Sequence, residues 1–315
     1  MSSKYKSDIP GIEEVFEVVP DFNGMRLDIF LQKIKPEYSR SYFQSLIKKG
    51  LCCLNNCVVK ANTKVKVGDE VKVFFPEISP IIFNQLDIPL KIIFQTDSYL
   101  VIEKPPGLIT HPGPDDSRPS VAGIISNRYQ IEDEEGFNSF RPGIVHRLDK
   151  DTSGLLIIAF NPKSKAYFSQ LFKERSVRKC YRAIVKGVIT ENEGEIDAPI
   201  GRQRGNKMLK WQVLQGGRDS LTRFSVLKRS KRFTEVKIFP HSGRTHQIRV
   251  HFQFIGHPLV NDPLYSRKHW NLSVPGQLLC AEFLSFPCPQ SKKILSFSCQ
   301  PDSRFEEFYR TFWDL

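Results

Sequence analysis

The sequence predicts an α+β protein built as two units of unequal size, and three observations predict it. Apolar residues at 27, 30, 31 and 34 fall at the spacing of one helix face. Residues 177–185 alternate instead, with Lys179, Tyr181 and Ala183 on one side and Cys180, Arg182 and Ile184 on the other, as on a strand. Between these patterns Pro76 and Pro80 bound a linker, which puts a domain boundary near residue 80. A chain of 315 residues, 40% hydrophobic and with 24 Phe, has enough apolar mass for a core in each part.

In chain order, residues 15–19 read as a first strand. The helix over 26–34 stops at Pro36, since proline cannot continue it. Ser39 or Ser41 can cap a second helix that carries Tyr42, Phe43, Leu46 and Ile47, with Gly50 placed to end it. Residues 51–54 and 57–59 flank Asn55-Asn56, and asparagine tolerates positive φ, so a hairpin is expected there. Val65, Val67, Val71 and Val73 around Gly68-Asp69 suggest a second one. Past the linker, residues 90–94 and 99–102 read as strands, and Lys104-Pro-Pro-Gly107 as a rigid turn. Residues 114–140 are polar, with acids at 132–135, and read as a surface insertion over a short helix. A helix over 163–174, one capped by Thr245 with Ile248, Phe252 and Ile255 on its apolar side, and a last one over 305–312 complete the list.

Charge narrows the partners. The net charge of +12 points to polyanions, nucleic acid first and an acidic membrane surface second, against a merely solvated basic surface. Residues 40–75 hold seven Lys or Arg against two acids, and 202–237 hold eleven against two, with Trp211 among them for stacking on a base or for a core. Seven Cys, an odd number with no export signal, argue against a disulfide framework, and Cys52, Cys53 and Cys57 do not have zinc spacing. No apolar run is long enough to span a bilayer, so a soluble cytoplasmic protein is expected. His246 and His251, five apart, face different ways on a helix or a strand, so no metal is expected.

The stretch 143–159 carries the chemistry. Arg147 and Asp149 stand before a polar turn, 151–154, and a pure apolar run, 155–159. A carboxylate so near a core needs a partner. One reading is a structural Arg147–Asp149 ion pair beside a tight turn. The other is an ionised carboxylate suited to act as nucleophile or base at a sugar carbon. Glycosidic chemistry ordinarily wants a second carboxylate, and the only near one, Asp151, reads as a turn residue.

Longer motifs then bear on the choice. Gly24-x-Arg26-Leu-Asp-x-Phe-Leu31, Ser39-Arg-Ser-x-x-Gln-x-Leu-Ile47, Lys49-Gly50 and Gly68-Asp69-x-Val71 resemble the alpha-L, or S4-like, RNA-binding module. It departs at Asn56, where the family usually has Gly. Further on, His146-Arg-Leu-Asp149-x-x-Thr-Ser-Gly154, Lys179-x-Tyr181-x-Ala183 and Gly243-Arg-x-His-Gln-Ile-Arg249-Val-His251 resemble the three signature motifs of the RluA-type pseudouridine synthases. Lys104-Pro-x-Gly107 and Asp262-Pro-Leu-Tyr265 agree in order, with Asn261 standing where Gly is usual, and the whole is most like the RluD branch, which acts on large-subunit ribosomal RNA.

The resemblance implies a mixed, mainly antiparallel sheet with flanking helices over residues 81–315, behind a small α+β RNA-binding domain over 1–80. It implies isomerisation of uridine to pseudouridine without cofactor or metal, by a monomer whose partner is RNA and not a membrane. Asp149 would start the reaction, Tyr181 would pack on the uracil or act as a base, and Arg249 would pair with Asp149. Arg147 would fill the space left by the flipped uridine, and Arg40, Lys48, Lys49, Arg244 and His246 would contact RNA. Two rivals are a non-catalytic RNA-binding protein, which has no need of Asp149, Tyr181 and Arg249 together, and a base hydrolase, which needs a second, water-activating carboxylate.

Overall fold

The structure, a computed structural model, describes residues 11–36, 38, 40–76, 88–112, 118–129, 131, 143–202, 210–267 and 270–314. These divide into two units. Of the expected linker at 76–80, residues 77–80 lie outside the described residues, as do 114–117, 130 and 132–140 of the expected insertion over 114–140.

The first unit runs β1 (Gly11–Glu17), α1 (Leu27–Ile34), α2 (Arg40–Lys48), β2 (Cys52–Leu54), β3 (Cys57–Val58) and β4 (Glu70–Pro76). The strands form one antiparallel sheet in the order β1-β4-β2-β3. Leu27, Phe30 and Leu31 of α1 and Phe43, Leu46 and Ile47 of α2 bury against Val71, Val73 and Phe75. Each such side chain contributes about 1.5–3 kcal/mol by leaving water. Asn55 and Asn56 take φ of 49° and 61°, as the expected turn between β2 and β3 requires. The second hairpin is absent. Both edges of β4 are taken, by β1 and β2, so residues 64–67 have no strand to join and Val67 is exposed.

The second unit runs β5 (Lys91–Gln95), β6 (Tyr99–Lys104), α3 (Val121–Arg128), β7 (Ser153–Ala159), α4 (Pro162–Lys173), β8 (Arg178–Lys186), β9 (Glu193–Asp197), β10 (Ile200–Arg202), β11 (Trp211–Val213), β12 (Leu221–Arg229), β13 (Phe233–Pro240), α5 (Gln247–Phe254), β14 (Leu279–Pro287), β15 (Ile294–Ser298) and α6 (Ser303–Phe312). Among the described residues the main sheet has the order β5-β6-β7-β14-β8-β13-β12-β9, with β15 on β14. All its pairings are antiparallel except β7 with β14.

Alternation divides the two faces of this sheet. Leu156 and Ile158 pack with α3, while Leu155 and Ile157 pack with Phe168 and Leu171 of α4. Farther along, Ala183 and Val185 face Ile248 and Phe252 of α5, and Ile184 faces Phe305 and Phe308 of α6. Tyr181 packs against both the α3 and the α5 clusters, so it stands between the two halves of one face. Asn161, Ser120 and Asp302 cap α4, α3 and α6 through their side chains. Thr245 does not cap α5. The N-cap is His246, left-handed at φ 54°, and the Gln247 side chain holds the preceding loop by accepting from Ser242 Oγ and the Arg244 N–H.

Candidate active site

The loop before β7 is fixed by close approach. Gly143 lies at φ 66°, and a Cβ there would sit 2.3 Å from the Ala159 carbonyl oxygen. Its own carbonyl accepts from the Ala159 N–H at 2.9 Å. His146 folds under the loop, accepting from the Ile157 N–H through Nε2 at 2.9 Å and lying 4.4 Å from the Phe172 ring. Burial, helped by the Lys179 charge, pushes its pKa down to about 3, so the ring is neutral.

From Leu148 to Ser153 nearly every residue is tied by a side chain from elsewhere. Thr110 Oγ1 donates to the Leu148 carbonyl at 2.8 Å. Buried Lys104 donates to the Lys150 carbonyl at 2.9 Å and to the Pro105 and Leu108 carbonyls. Arg304, fully buried in α6, donates to the Asp151 carbonyl at 3.1 Å. Gln277 donates to Thr152 Oγ1 at 3.0 Å, and Ser153 Oγ donates to Asp302, which also holds Arg304. Gly154 closes the loop against β14, where a Cβ would meet the Ala281 backbone at 2.3 Å. The exposed Arg147 and the partly exposed Asp149 are left projecting into a cleft of about 990 Å³.

Asp149 is one fifth exposed, and Arg249 is 4% exposed. Arg249 Nη1 donates to Asp149 Oδ2 at 2.9 Å. The pairing across a hundred residues is therefore present, but Arg249 is divided. Its Nε and Nη2 donate to Asp262 at 2.7 and 2.9 Å, a two-pronged pair with a carboxylate that is fully buried. Burial works against the Arg249 charge. The hydrogen bonds and charges of Asp262 and Asp149 outweigh it and push the pKa further up. The Asp262 carboxylate also accepts from the Leu264 and Tyr265 N–H groups. Asn261, with φ 61°, adopts the left-handed turn expected of Gly and accepts from the Trp270 N–H.

His246 reaches from the start of α5 with Nδ1 at 3.0 Å from the Tyr265 hydroxyl and Nε2 4.0 Å from Asp149 Oδ1. Its pKa is lowered, by burial above all. Tyr265 lies under Arg249, 5.1 Å from ring centre to guanidinium carbon, and its hydroxyl accepts from the Trp211 N–H. Tyr181 also lines the cleft. Burial, and after it the Asp149 charge, push its pKa up, so the phenol is neutral. A base role for Tyr181 thus requires prior loss of its proton.

The structure brings Arg147, Asp149, Tyr181, Arg244, His246 and Arg249 to one cleft. Arg40, Lys48 and Lys49 lie on or next to α2 of the other unit. Lys48 and Lys49 are exposed, while Arg40 donates to buried Asp28 at 2.9 Å. Sequence reasoning assigned no role to Asp262, Tyr265, Lys104, Thr110 or Arg304, although Asp262-Pro-Leu-Tyr265 and Lys104-Pro-x-Gly107 stood out as motifs. Among the described residues no three His, Cys, Asp or Glu side chains gather as a metal ion would need. No helix of the described residues is long and apolar enough to cross a membrane.

Comparison with known proteins gives the arrangement a context. The family described as RNA pseudouridylate synthase matches residues 98–254, and the S4 domain matches 25–71. An uncharacterized RNA pseudouridine synthase of Aquifex aeolicus is 36% identical over 95% of this chain and 97% of that protein. The ribosomal large subunit pseudouridine synthase D of Pseudomonas aeruginosa is 35% identical over 88% of this chain and 84% of its own length. Among solved structures, human RNA pseudouridylate synthase domain containing 1 superposes with a TM-score of 0.54 at 27% identity, covering 70% of this chain and 86% of that one.

Proposed function

The chain belongs to the RNA pseudouridylate synthase family, and on that premise we propose that it isomerises uridines of large-subunit ribosomal RNA, with Asp149 opening the reaction. The observation that carries the assignment of Asp149 is its carboxylate geometry. One oxygen is fixed by Arg249, and the residue remains partly open to a cleft walled by a neutral phenol and cations. In the isomerisation the N1–C1′ bond of uridine breaks, the uracil turns over, C5 joins C1′, the C5 proton leaves to solvent and N1 takes one up. The ring that departs is the ring that returns, so a delocalised uracil anion can leave without a second acid.

Asp149 can attack C1′ or remove the 2′ proton, and in either step Arg249 holds one of its oxygens and leaves the other to the substrate. Tyr181 would lie on the uracil, and Arg147 would take its place in the helix once it is flipped out. Arg244 and His246 would meet the flanking strand. Residues 1–80 would serve as an RNA-binding module and 81–315 as the catalytic domain. The large-subunit target is carried by the name of the Pseudomonas aeruginosa relative. In the test, the protein is incubated with large-subunit ribosomal RNA transcribed with 5-tritiated uridine. Tritium release, with pseudouridine mapped at defined positions, is expected from the wild type. Release by Asp149→Asn at the wild-type rate would remove Asp149 from the chemistry.

A further inference from the structure

One wall of the cleft is built from the end of α4 and the start of β8, and it gathers Lys173, Arg175, Arg178 and Lys179 within seven positions. Several cations elsewhere on this unit are paired with acids: Arg182 with Glu282, Arg223 with Glu195, and Arg249 with Asp262. Among the described residues these four have no ion-pair partner. Glu174, the one acid in this stretch, accepts from the Gln170 side chain instead, so the wall carries an excess of positive charge that an anion would join.

Two further details point the same way. Arg175 has φ 59° at the end of α4, with the Ser176 N–H bonded back to the Leu171 carbonyl. That left-handed position is where helices usually place glycine, and a side chain there costs about 1–2 kcal/mol. Here it presents a guanidinium to the cleft. Lys179 is only partly exposed, and its ammonium lies 5.8 Å from the Phe172 ring centre, a weak partner for a desolvated charge. Burial lowers its pKa accordingly. Lys179 also shares a strand face with Tyr181, two residues and therefore about 7 Å along β8.

We propose that the α4–β8 wall is a phosphate subsite in which Lys179 binds the phosphodiester next to the target uridine, with Lys173, Arg175 and Arg178 following the adjoining backbone. This rests on the pseudouridine synthase reading. It explains why a partly buried ammonium is left without a carboxylate: the anion arrives with the RNA. The wall lies beside Asp149 and Tyr181 in the same cleft, so it would set which nucleotide of a bound strand reaches them.

The test uses the full chain and an RNA oligonucleotide that contains a uridine the wild type isomerises. Lys179→Met is expected to weaken binding by about tenfold, as loss of one charge-assisted hydrogen bond would. It should lower the slope of log Kd against log salt by about 0.7–0.9, one phosphate contact. A neutral methylphosphonate at one linkage flanking the uridine should reproduce the loss in the wild type and add nothing in Lys179→Met. Because the free protein buries an unpaired charge there, Lys179→Met should keep or raise Tm, which a structural lysine would not do. Unchanged affinity and salt slope, or a methylphosphonate penalty that adds fully to the substitution, overturns the subsite. A wild type that forms pseudouridine in no ribosomal RNA, so that no such oligonucleotide can be chosen, overturns the reading beneath it.

Discussion

Asp28 in the first unit and Asp149 in the second both stand beside arginine, yet their oxygens are used differently. Asp28 is fully buried and receives Arg26, Arg40 and Gln44, so both oxygens are occupied by donors of its own unit. Burial alone would raise its pKa; those hydrogen bonds outweigh it and bring it down to about 2. Asp149 has one oxygen on Arg249 and its other 4.0 Å from His246, and it keeps a fifth of its surface in the cleft. The lesson is that an arginine partner makes a carboxylate structural or reactive according to how many donors it brings. Arg249 can leave Asp149 partly free because Asp262 engages its other two nitrogens.

The same substitution at both positions breaks the comparison most directly. Asp149→Asn is expected to lower the rate of pseudouridine formation by about 10²–10⁴-fold or more, the loss of a nucleophile or base, while RNA binding stays largely intact. Asp28→Asn should leave turnover of a saturating minimal substrate near wild type and loosen only the first unit. Tritium release and circular dichroism on the two variants separate these outcomes. Comparable catalytic loss from both would mean that the two aspartates are not the opposites their hydrogen bonds suggest.

Arg249→Met comes next in size. It would strand Asp262, fully buried, with only the Leu264 and Tyr265 amides, and removing one partner of a buried pair costs about 3–5 kcal/mol. A large fall in denaturation midpoint is expected together with loss of activity. Arg249→Met combined with Asp262→Leu should recover much of the stability but not the activity, since Asp149 would still lack its donor. Recovery of both would assign Arg249 to the scaffold alone.

Much of this was legible in the sequence because the relevant chemistry is local. The spacing of Leu27, Phe30, Leu31 and Ile34 gave α1, and the alternation over 177–185 placed Lys179 and Tyr181 on one face of β8. The charged His146-Arg147-Leu148-Asp149 run set against an apolar strand marked the site. What was illegible depends on who meets whom. Val65 to Val73 has the right period for a hairpin, but period two names no partner, and β1 and β2 occupy the strand. Asp262 reads as loop chemistry until the fold puts it beneath Arg249. Arg304, near the C-terminus, looks like one more surface charge, yet it is fully buried and holds the loop that carries Asp149. Thr245 had the cap composition, whereas Gln247 does the holding from inside the helix.

A smaller effect sharpens the contrast through pH. Asp28 is depressed from 3.8 to about 2 in the folded chain, so its stabilisation is fully present above its unfolded pKa and is lost as pH falls through the folded one. The difference amounts to about 2 kcal/mol. Unfolding of the first unit, followed by hydrogen exchange in the full chain, should steepen between about pH 4 and pH 2 in the wild type. In Asp28→Asn that limb should flatten. A wild-type profile with no slope in that window would mean that Arg26, Arg40 and Gln44 do not favour the ionised form.

The smallest expected effect concerns the cations of α2 and the residue that follows it. The resemblance treats Arg40, Lys48 and Lys49 alike as RNA contacts, but the structure separates them. Arg40 is committed in part to Asp28, while Lys48 and Lys49 are exposed. Lys48→Met with Lys49→Met should therefore weaken RNA binding by no more than about tenfold, lower the salt slope by roughly one to two phosphate contacts, and leave Tm unchanged. Arg40→Met should instead lower the stability of the first unit, because Asp28 keeps its burial and loses a donor. Its effect on affinity should be the smaller of the two at temperatures where that unit is folded. If Arg40→Met weakens RNA binding as much as the double lysine change, with the pH profile of the first unit unaltered, then Arg40 serves the RNA and the closed carboxylate of Asp28 is held by Arg26 and Gln44 alone.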